Sequence, residues 1–154
     1  NVLYLKREKR NWFLNSHWNP QRAAEIYAGR YEIRLYEVYF MFGFSDGKHI
    51  RELRKKCDDT NRIVVCEPNM KIFALACHLY DLHDILSDDT IIIFFSELEK
   101  NFEGLIQEIV DYTRVKLLDF CILPGYDVLY HEECEKYVYK VIDVIKEKGH
   151  EVTL

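Results

Sequence analysis

The stretch from Tyr36 to Ile50, YEVYFMFGFSDGKHI, constrains the fold more than any other part of the chain. It reads as a buried strand over 37–42, a glycine turn, and the start of a helix over about 47–57. A second strand, 62–66, follows and leaves on Glu67, Pro68 and Asn69. Strand, glycine turn, helix, strand and acid, in that order, make a nucleotide-binding half-fold. Glycine lets the backbone approach a phosphate or cofactor tail, and a helix N-terminus offers unpaired N–H groups. An acid after the second strand can accept two ribose hydroxyls. The candidate crevice residues are therefore Gly43, Ser45, Asp46, Gly47, Glu67 and Asn69.

The turn admits three readings: a working nucleotide site, a serine hydrolase, or an inherited fold with no working site. Gly43-x-Ser45-x-Gly47 is a glycine loop whose middle glycine is replaced, and it also spells a nucleophile elbow. An elbow needs a later histidine and acid. His131 opens a helix, His150 lies at the chain end, and only a hairpin precedes the loop, so the hydrolase reading is poorly supported. Cofactor binding is disfavoured as well. Ser45 carries a Cβ where backbone should meet ligand, and Phe40, Met41 and Phe42 supply no acid ahead of the turn. No cofactor is expected, and a nucleotide or S-adenosylmethionine enters only on the alternative reading. Metal binding finds no support, since His78 and His83 are five residues apart and no cluster has ligand spacing.

The rest of the chain alternates in the same way. Residues 2–15 read as a β-hairpin with the basic run 6–10 in its exposed turn. Asn19 caps a helix with Pro20 at its first position, ending by Gly29. After the second strand, Ile72, Phe73, Ala76, Leu79 and Tyr80 share a helix face. A third strand spans 90–95. Leu98, Phe102, Leu105, Ile106, Ile109 and Val110 then follow helical spacing. The fourth strand, 117–123, stops at Pro124-Gly125. The last helix carries Cys134, Tyr137, Val138, Val141, Ile142 and Ile145 and ends at Gly149. Apolar strands alternating with helices predict an α/β fold: a Rossmann-like parallel sheet with methyltransferase-like topology and helices on both faces. An N-terminal hairpin and helix, 1–35, would pack on a core of 36–154, helped by Trp12 and Trp18.

Net charge −5 argues against nucleic acid and anionic membranes as partners. No run of about 20 apolar residues marks a membrane span, and no signal peptide is visible. The odd cysteines 57, 66, 77, 121 and 134 lack paired spacing, which fits a reducing cytoplasm. Cys66 and Cys121 fall in strands and Cys77 and Cys134 on helical faces, all read as small buried hydrophobes. The start at Asn1 rather than Met is what an excised fragment of a longer protein, or a trimmed chain, would be expected to show.

Three strings taken together resemble the N-terminal domain of the Maf family, the motility-associated factors of flagellated bacteria. They are Ser16-x-x-Asn19-Pro20-x-x-Ala23-Ala24-Glu25, Phe42 to Ile50, and Val65-x-Glu67-Pro68-Asn69-x-x-Ile72-Phe73. The run from Leu123 to Tyr130 also fits, where the family tends to have a His-Pro-x-Tyr type turn. The resemblance covers about residues 2–148. It implies glycosyltransferases similar to sialyltransferases that act in flagellin glycosylation with nonulosonic acids. Their catalytic region is a separate domain that normally follows, and nothing in this chain matches it. The implied role is a non-catalytic domain whose partners are that downstream domain and flagellin. The family usually has Gly at the position of Ser45, which speaks against a serine nucleophile. The same motifs also look like a degraded methyltransferase core. That keeps open the alternative of a nucleotide- or S-adenosylmethionine-binding enzyme domain.

Overall fold

The computed structural model describes residues 3–7 and 10–149. The predicted turn at Glu8 and Lys9, the side chain of Arg10, and His150 lie outside them. Strands β1 (Tyr4–Arg7) and β2 (Arg10–Phe13) form the expected antiparallel hairpin, with Leu5 opposite Trp12. Lys6 and Arg7 are exposed, as a charged turn requires. Helix α1 (Pro20–Ala28) starts where Asn19 Oδ1 accepts the Arg22 N–H, with Pro20 at the first position.

The core is a four-stranded parallel sheet of β3 (Glu37–Phe42), β4 (Arg62–Glu67), β5 (Ile91–Phe95) and β6 (Leu117–Ile122), ordered β5-β4-β3-β6. The chain moves outward from β3 to β5, then crosses back to place β6 against the other side of β3. This confirms the Rossmann-like expectation. It also makes the gap between the carboxyl ends of β3 and β6 a topological switch point, where open α/β sheets hold ligands.

All six residues of β3 are buried, although consecutive side chains point to opposite faces. Both faces must therefore be covered. On one face Tyr137 of α7 (His131–Glu147) meets the rings of Phe40, Phe42, Phe94 and Phe120, with centroids 5.9–6.5 Å apart. Helix α5 (Phe102–Thr113) packs beside α7. Helix α1 packs against α2 (Lys48–Lys56), and the Tyr27 hydroxyl donates to the Ile122 carbonyl at 2.6 Å.

The differences from the sequence reading have local causes. Leu98 continues the apolar spacing of α5 but sits in a separate 3-10 turn, Ser96–Leu98, and is 57 % exposed. The side chain of Asn101 caps α5 at the Gly104 N–H and starts that helix later. In α3 (Met70–Leu79) Ile72 and Ala76 are buried, whereas Leu79 and Cys77 are exposed. Cys66, Cys121 and Cys134 are buried as expected. In α7 the buried set includes Val144 and leaves Val138 and Ile142 half-buried. Trp18 is 86 % exposed, so Trp12 alone of the two tryptophans packs on the core. Two one-turn helices, α4 (His83–Leu86) and α6 (Tyr126–Leu129), are too short to carry a periodic signal.

Tyr137 should behave as a packing residue. Its hydroxyl reaches the Val64 carbonyl only at 3.4 Å, so Tyr137→Phe should cost less than about 1 kcal/mol. Tyr137→Ala, which empties the space among four rings, should cost about 3–5 kcal/mol. Urea unfolding of both variants checks the contrast.

Candidate functional site

The loop joining β3 to α2 is built from left-handed residues. Gly43 has φ 109°, Ser45 54° and Gly47 82°. Ser45 holds this conformation against the roughly 1–2 kcal/mol that a Cβ costs there. Its hydroxyl donates to the Leu14 carbonyl at 2.6 Å, inside the protein. That bond uses the hydroxyl proton on the hairpin segment, so Ser45 is a structural tie and is not aligned as a nucleophile.

Asp46 is 1 % exposed and both its oxygens are engaged. Oδ1 accepts the N–H of Lys48, the first residue of α2, at 3.0 Å. Oδ2 accepts Asn15 Nδ2 at 2.9 Å. Gly47 is needed for shape: a Cβ there would lie 2.8 Å from Leu82 Cδ2.

Glu67 ends β4 and is fully buried. Its Oε1 accepts the Phe44 N–H at 2.9 Å and the Tyr126 hydroxyl at 2.7 Å. Its Oε2 accepts the Asn69 N–H at 2.8 Å. The Tyr126 hydroxyl in turn accepts the Ser45 N–H at 3.0 Å. Asn69 caps α3 through the Lys71 N–H and donates from Nδ2 to the Tyr130 hydroxyl at 3.0 Å. All six candidate residues thus come together at the carboxyl ends of β3 and β4. A seventh residue, Tyr126, stands at their centre.

Tyr126 follows β6 through Pro124 and Gly125, the latter at φ 86°. It is fully buried, and its ring lies where a Gly43 Cβ would be, 2.8 Å from that position. The close approach that Gly43 permits is made by the chain's own phenol. The Phe44 and Ser45 N–H groups, which would otherwise face a ligand, are bonded to Glu67 and Tyr126. The carboxylate suited to ribose hydroxyls accepts three donors from the chain itself.

Burial pushes the Glu67 carboxyl up to about 7, against hydrogen bonds that pull it down, first among them those from the Phe44 N–H, the Tyr126 hydroxyl and the Asn69 N–H. Burial, followed by the charge of Glu67, pushes the Tyr126 phenol well up and keeps it a donor. Among the described residues, no group of three His, Cys, Asp or Glu side chains could hold a metal ion. Sequence reasoning placed the 124–127 strand end among those that could build a site but did not single out Tyr126, which is 59 residues from Glu67 and 81 from Ser45. The one available signal was its place two residues after the Pro124 that stops the fourth strand.

Two outcomes follow from this network. Tyr126→Phe leaves Glu67 and the Ser45 N–H each short of a partner inside the protein. It should cost about 1–3 kcal/mol in chemical unfolding. Glu67 also makes stability depend on pH. Its folded value of about 7 lies above the ordinary 4.5, so the native state holds the proton more tightly. The corresponding stabilisation is complete below about 4.5 and is lost as pH rises through about 7. From about pH 5 to about pH 8 the native chain should lose up to about 3 kcal/mol relative to Glu67→Gln. Unfolding curves of the pair across that range check it.

Comparison with known proteins adds a family. The model described as "Glycosyltransferase Maf N-terminal domain" matches residues 7–114. That span holds the hairpin's second strand, α1, the Gly43–Gly47 loop and Glu67. No curated protein and no solved structure matches the chain. The matched span covers most of the chain, and this protein belongs to the glycosyltransferase Maf N-terminal domain family.

Proposed function

We propose that the chain is a non-catalytic N-terminal domain of a motility-associated glycosyltransferase. In this reading it serves flagellin glycosylation with nonulosonic, sialic-acid-like sugars in the bacterial cytoplasm. The single observation that carries the non-catalytic part is Tyr126, whose ring fills the switch-point crevice and whose hydroxyl occupies both Glu67 and the loop. Membership of the family supplies the enzyme context, which implies a catalytic domain as partner. Among the described residues no helix is long and apolar enough to cross a membrane.

A surface suited to that partner lies on the N-terminal segment. Tyr4, Phe13, His17 and Trp18 form a run of neighbouring rings with centroids 6.0, 4.4 and 4.7 Å apart. Tyr4, Phe13 and Trp18 are all exposed. Large, stiff aromatic side chains are the usual anchors of protein interfaces. Flagellin, the proposed acceptor, would meet the assembled enzyme.

The second reading, a nucleotide- or S-adenosylmethionine-binding enzyme domain, is favoured by the strand order and by Glu67 at the end of β4. It requires Tyr126 to leave a fully buried position and give up both of its hydrogen bonds.

Calorimetric titration with cytidine nucleotides, S-adenosylmethionine and NAD separates the readings. The proposal expects no binding tighter than about 1 mM. Micromolar binding that Glu67→Ala abolishes would overturn it. The docking role has its own test. Trp18→Ala should weaken association with the separately expressed catalytic domain by about tenfold or more, with the unfolding midpoint of the chain unchanged. Equal association by both forms would remove the aromatic surface from the account.

A further inference from the structure

The two outer edges of the parallel sheet are finished differently. Along β6 the chain covers its own edge. The Phe120 N–H goes to the Asp119 carboxylate at 2.8 Å, and the Ile122 carbonyl accepts the Tyr27 hydroxyl at 2.6 Å. Along β5 no side chain is bonded to an outward-facing backbone group among the described residues, and β4 is its one neighbour in the sheet. The Ile63 N–H bonds to the Thr90 carbonyl. By the two-residue period of a strand, the groups of Ile92 and Phe94 then face β4, and those of Ile91, Ile93 and Phe95 face outward. The Ile91 N–H turns back to the Asp88 carbonyl, which leaves Ile93 and Phe95 to carry the open edge.

Natural sheets blunt an exposed edge with lysine, proline, a bulge or a covering segment. Strand β5, Ile-Ile-Ile-Phe-Phe, has no charge, no proline and no break in its register with β4. Apolar side chains continue past it on both faces of the sheet. In α3, Tyr80 faces α2, with Lys48 Nζ 4.9 Å from its ring centroid. At about 100° per residue, the exposed Leu75 and Leu79 lie on the opposite flank of that helix, toward the open edge. In α5, Glu103 and Asp111 face α7 through Lys140 and Lys148. The same helical geometry turns the half-buried Leu105 and the exposed Tyr112 away from α7, toward that edge.

We infer that β5 is a docking edge for an extended segment of a partner protein, which joins the sheet as a fifth strand. Its backbone would bond to Ile93 and Phe95. Its alternate apolar side chains would lie on Leu75 and Leu79 on one face and on Leu105 and Tyr112 on the other. Charge selects the occupant. Asp89, exposed, precedes the strand, and Glu97, exposed, follows it with one oxygen on the Met70 N–H at 2.5 Å. Asp88 is already paired with Arg54, and the next cation along the chain, Lys100, lies beyond Glu99. In a second copy paired antiparallel about Ile93, Asp89 of each chain would stand opposite Glu97 of the other. Like charges directly opposite destabilise a ladder. A segment with lysine or arginine on either side of an alternating apolar centre meets both acids with opposite charge. The edge shares no residue with the Glu67 crevice or with the run of Tyr4, Phe13 and Trp18, so it stands whatever those two bind.

The test is an NMR titration of the whole chain that follows the backbone amides of Ile93 and Phe95. The probes are the peptide acetyl-Lys-Val-Thr-Val-Thr-Val-Lys-amide, its counterpart with Glu in place of both Lys, and the basic peptide N-methylated at every valine and threonine. The basic peptide should shift both amides saturably, with a dissociation constant of about 0.1–1 mM, and should slow hydrogen exchange at Ile93. The acidic and the N-methylated peptides should each bind at least about fivefold more weakly. Asp89→Lys, at an exposed position, should fold normally and weaken the basic peptide about threefold. Ile93→Pro removes the outward N–H, a change that edge strands tolerate, and should abolish binding. Four results would each overturn the proposal: no shift of the two amides at about 5 mM basic peptide, equal binding of the N-methylated peptide, equal binding of the acidic peptide, or undiminished binding by Asp89→Lys. A chain that sediments as a dimer with Ile93 already protected would overturn it too, by giving the edge to a second copy.

Discussion

A carboxylate without solvent needs donors, and the structure around the strand ends is organised to give them to Glu67. The Tyr126 hydroxyl is the central one because it acts twice. It donates to Glu67 Oε1 and accepts the Ser45 N–H, joining the end of β4 to the loop after β3. With the Phe44 and Asn69 N–H groups completing the shell, the first two strands and the turn after β6 close on a single side chain. A half-satisfied version of such a network would be worse than an apolar plug of the same shape. The loop's left-handed residues, Ser45 included, go with this arrangement, in which the Phe44 and Ser45 N–H groups reach Glu67 and Tyr126.

Topology explains why this closure falls where a cofactor would otherwise sit. The crossover that places β6 next to β3 brings the Pro124-Gly125 turn over the switch point. Gly43 leaves room there, and Tyr126 takes it. Below, the backbone ladders set the spacing of the strands that carry these turns, and the Tyr137 cluster packs one face of them. The hairpin is tied on by two further bonds, Ser45 to Leu14 and Asn15 to Asp46. Loop, hairpin and crevice therefore depend on one another. The N-terminal segment thereby carries its exposed aromatic rings on a fixed support.

The parallel sheet was legible in the sequence because a central strand buried on both faces leaves an unbroken apolar run. The predicted 37–42 strand coincides with β3 at both ends. One cap was legible for a similar reason, since Asn19 acts through short-range geometry that a single residue type announces; the cap that Asn69 provides for α3 was not singled out. Leu98 was misplaced because apolar spacing alone carries no information about where a cap interrupts a helix. Cys77 and Leu79 were misplaced because α3 is apolar nearly all round and does not say which side is covered. The six crevice residues were found by motif, and they do converge. What the motif could not show is that their partners come from Leu14, Asn15 and Tyr126, far away in the chain. A loop that binds a ligand and a loop bonded to its own chain look alike until the fold brings those residues in.

The most direct measurement is a double-mutant cycle on Tyr126 and Glu67, using Tyr126→Phe, Glu67→Gln and the pair, with unfolding followed at about pH 9, where Glu67 is ionised in the native chain. The account predicts that the two residues are strongly coupled, by about 1.5–3 kcal/mol, as for a buried hydrogen bond to a charged group. A coupling within about 0.3 kcal/mol of zero would contradict it. The Tyr126 hydroxyl would then not close the crevice through Glu67.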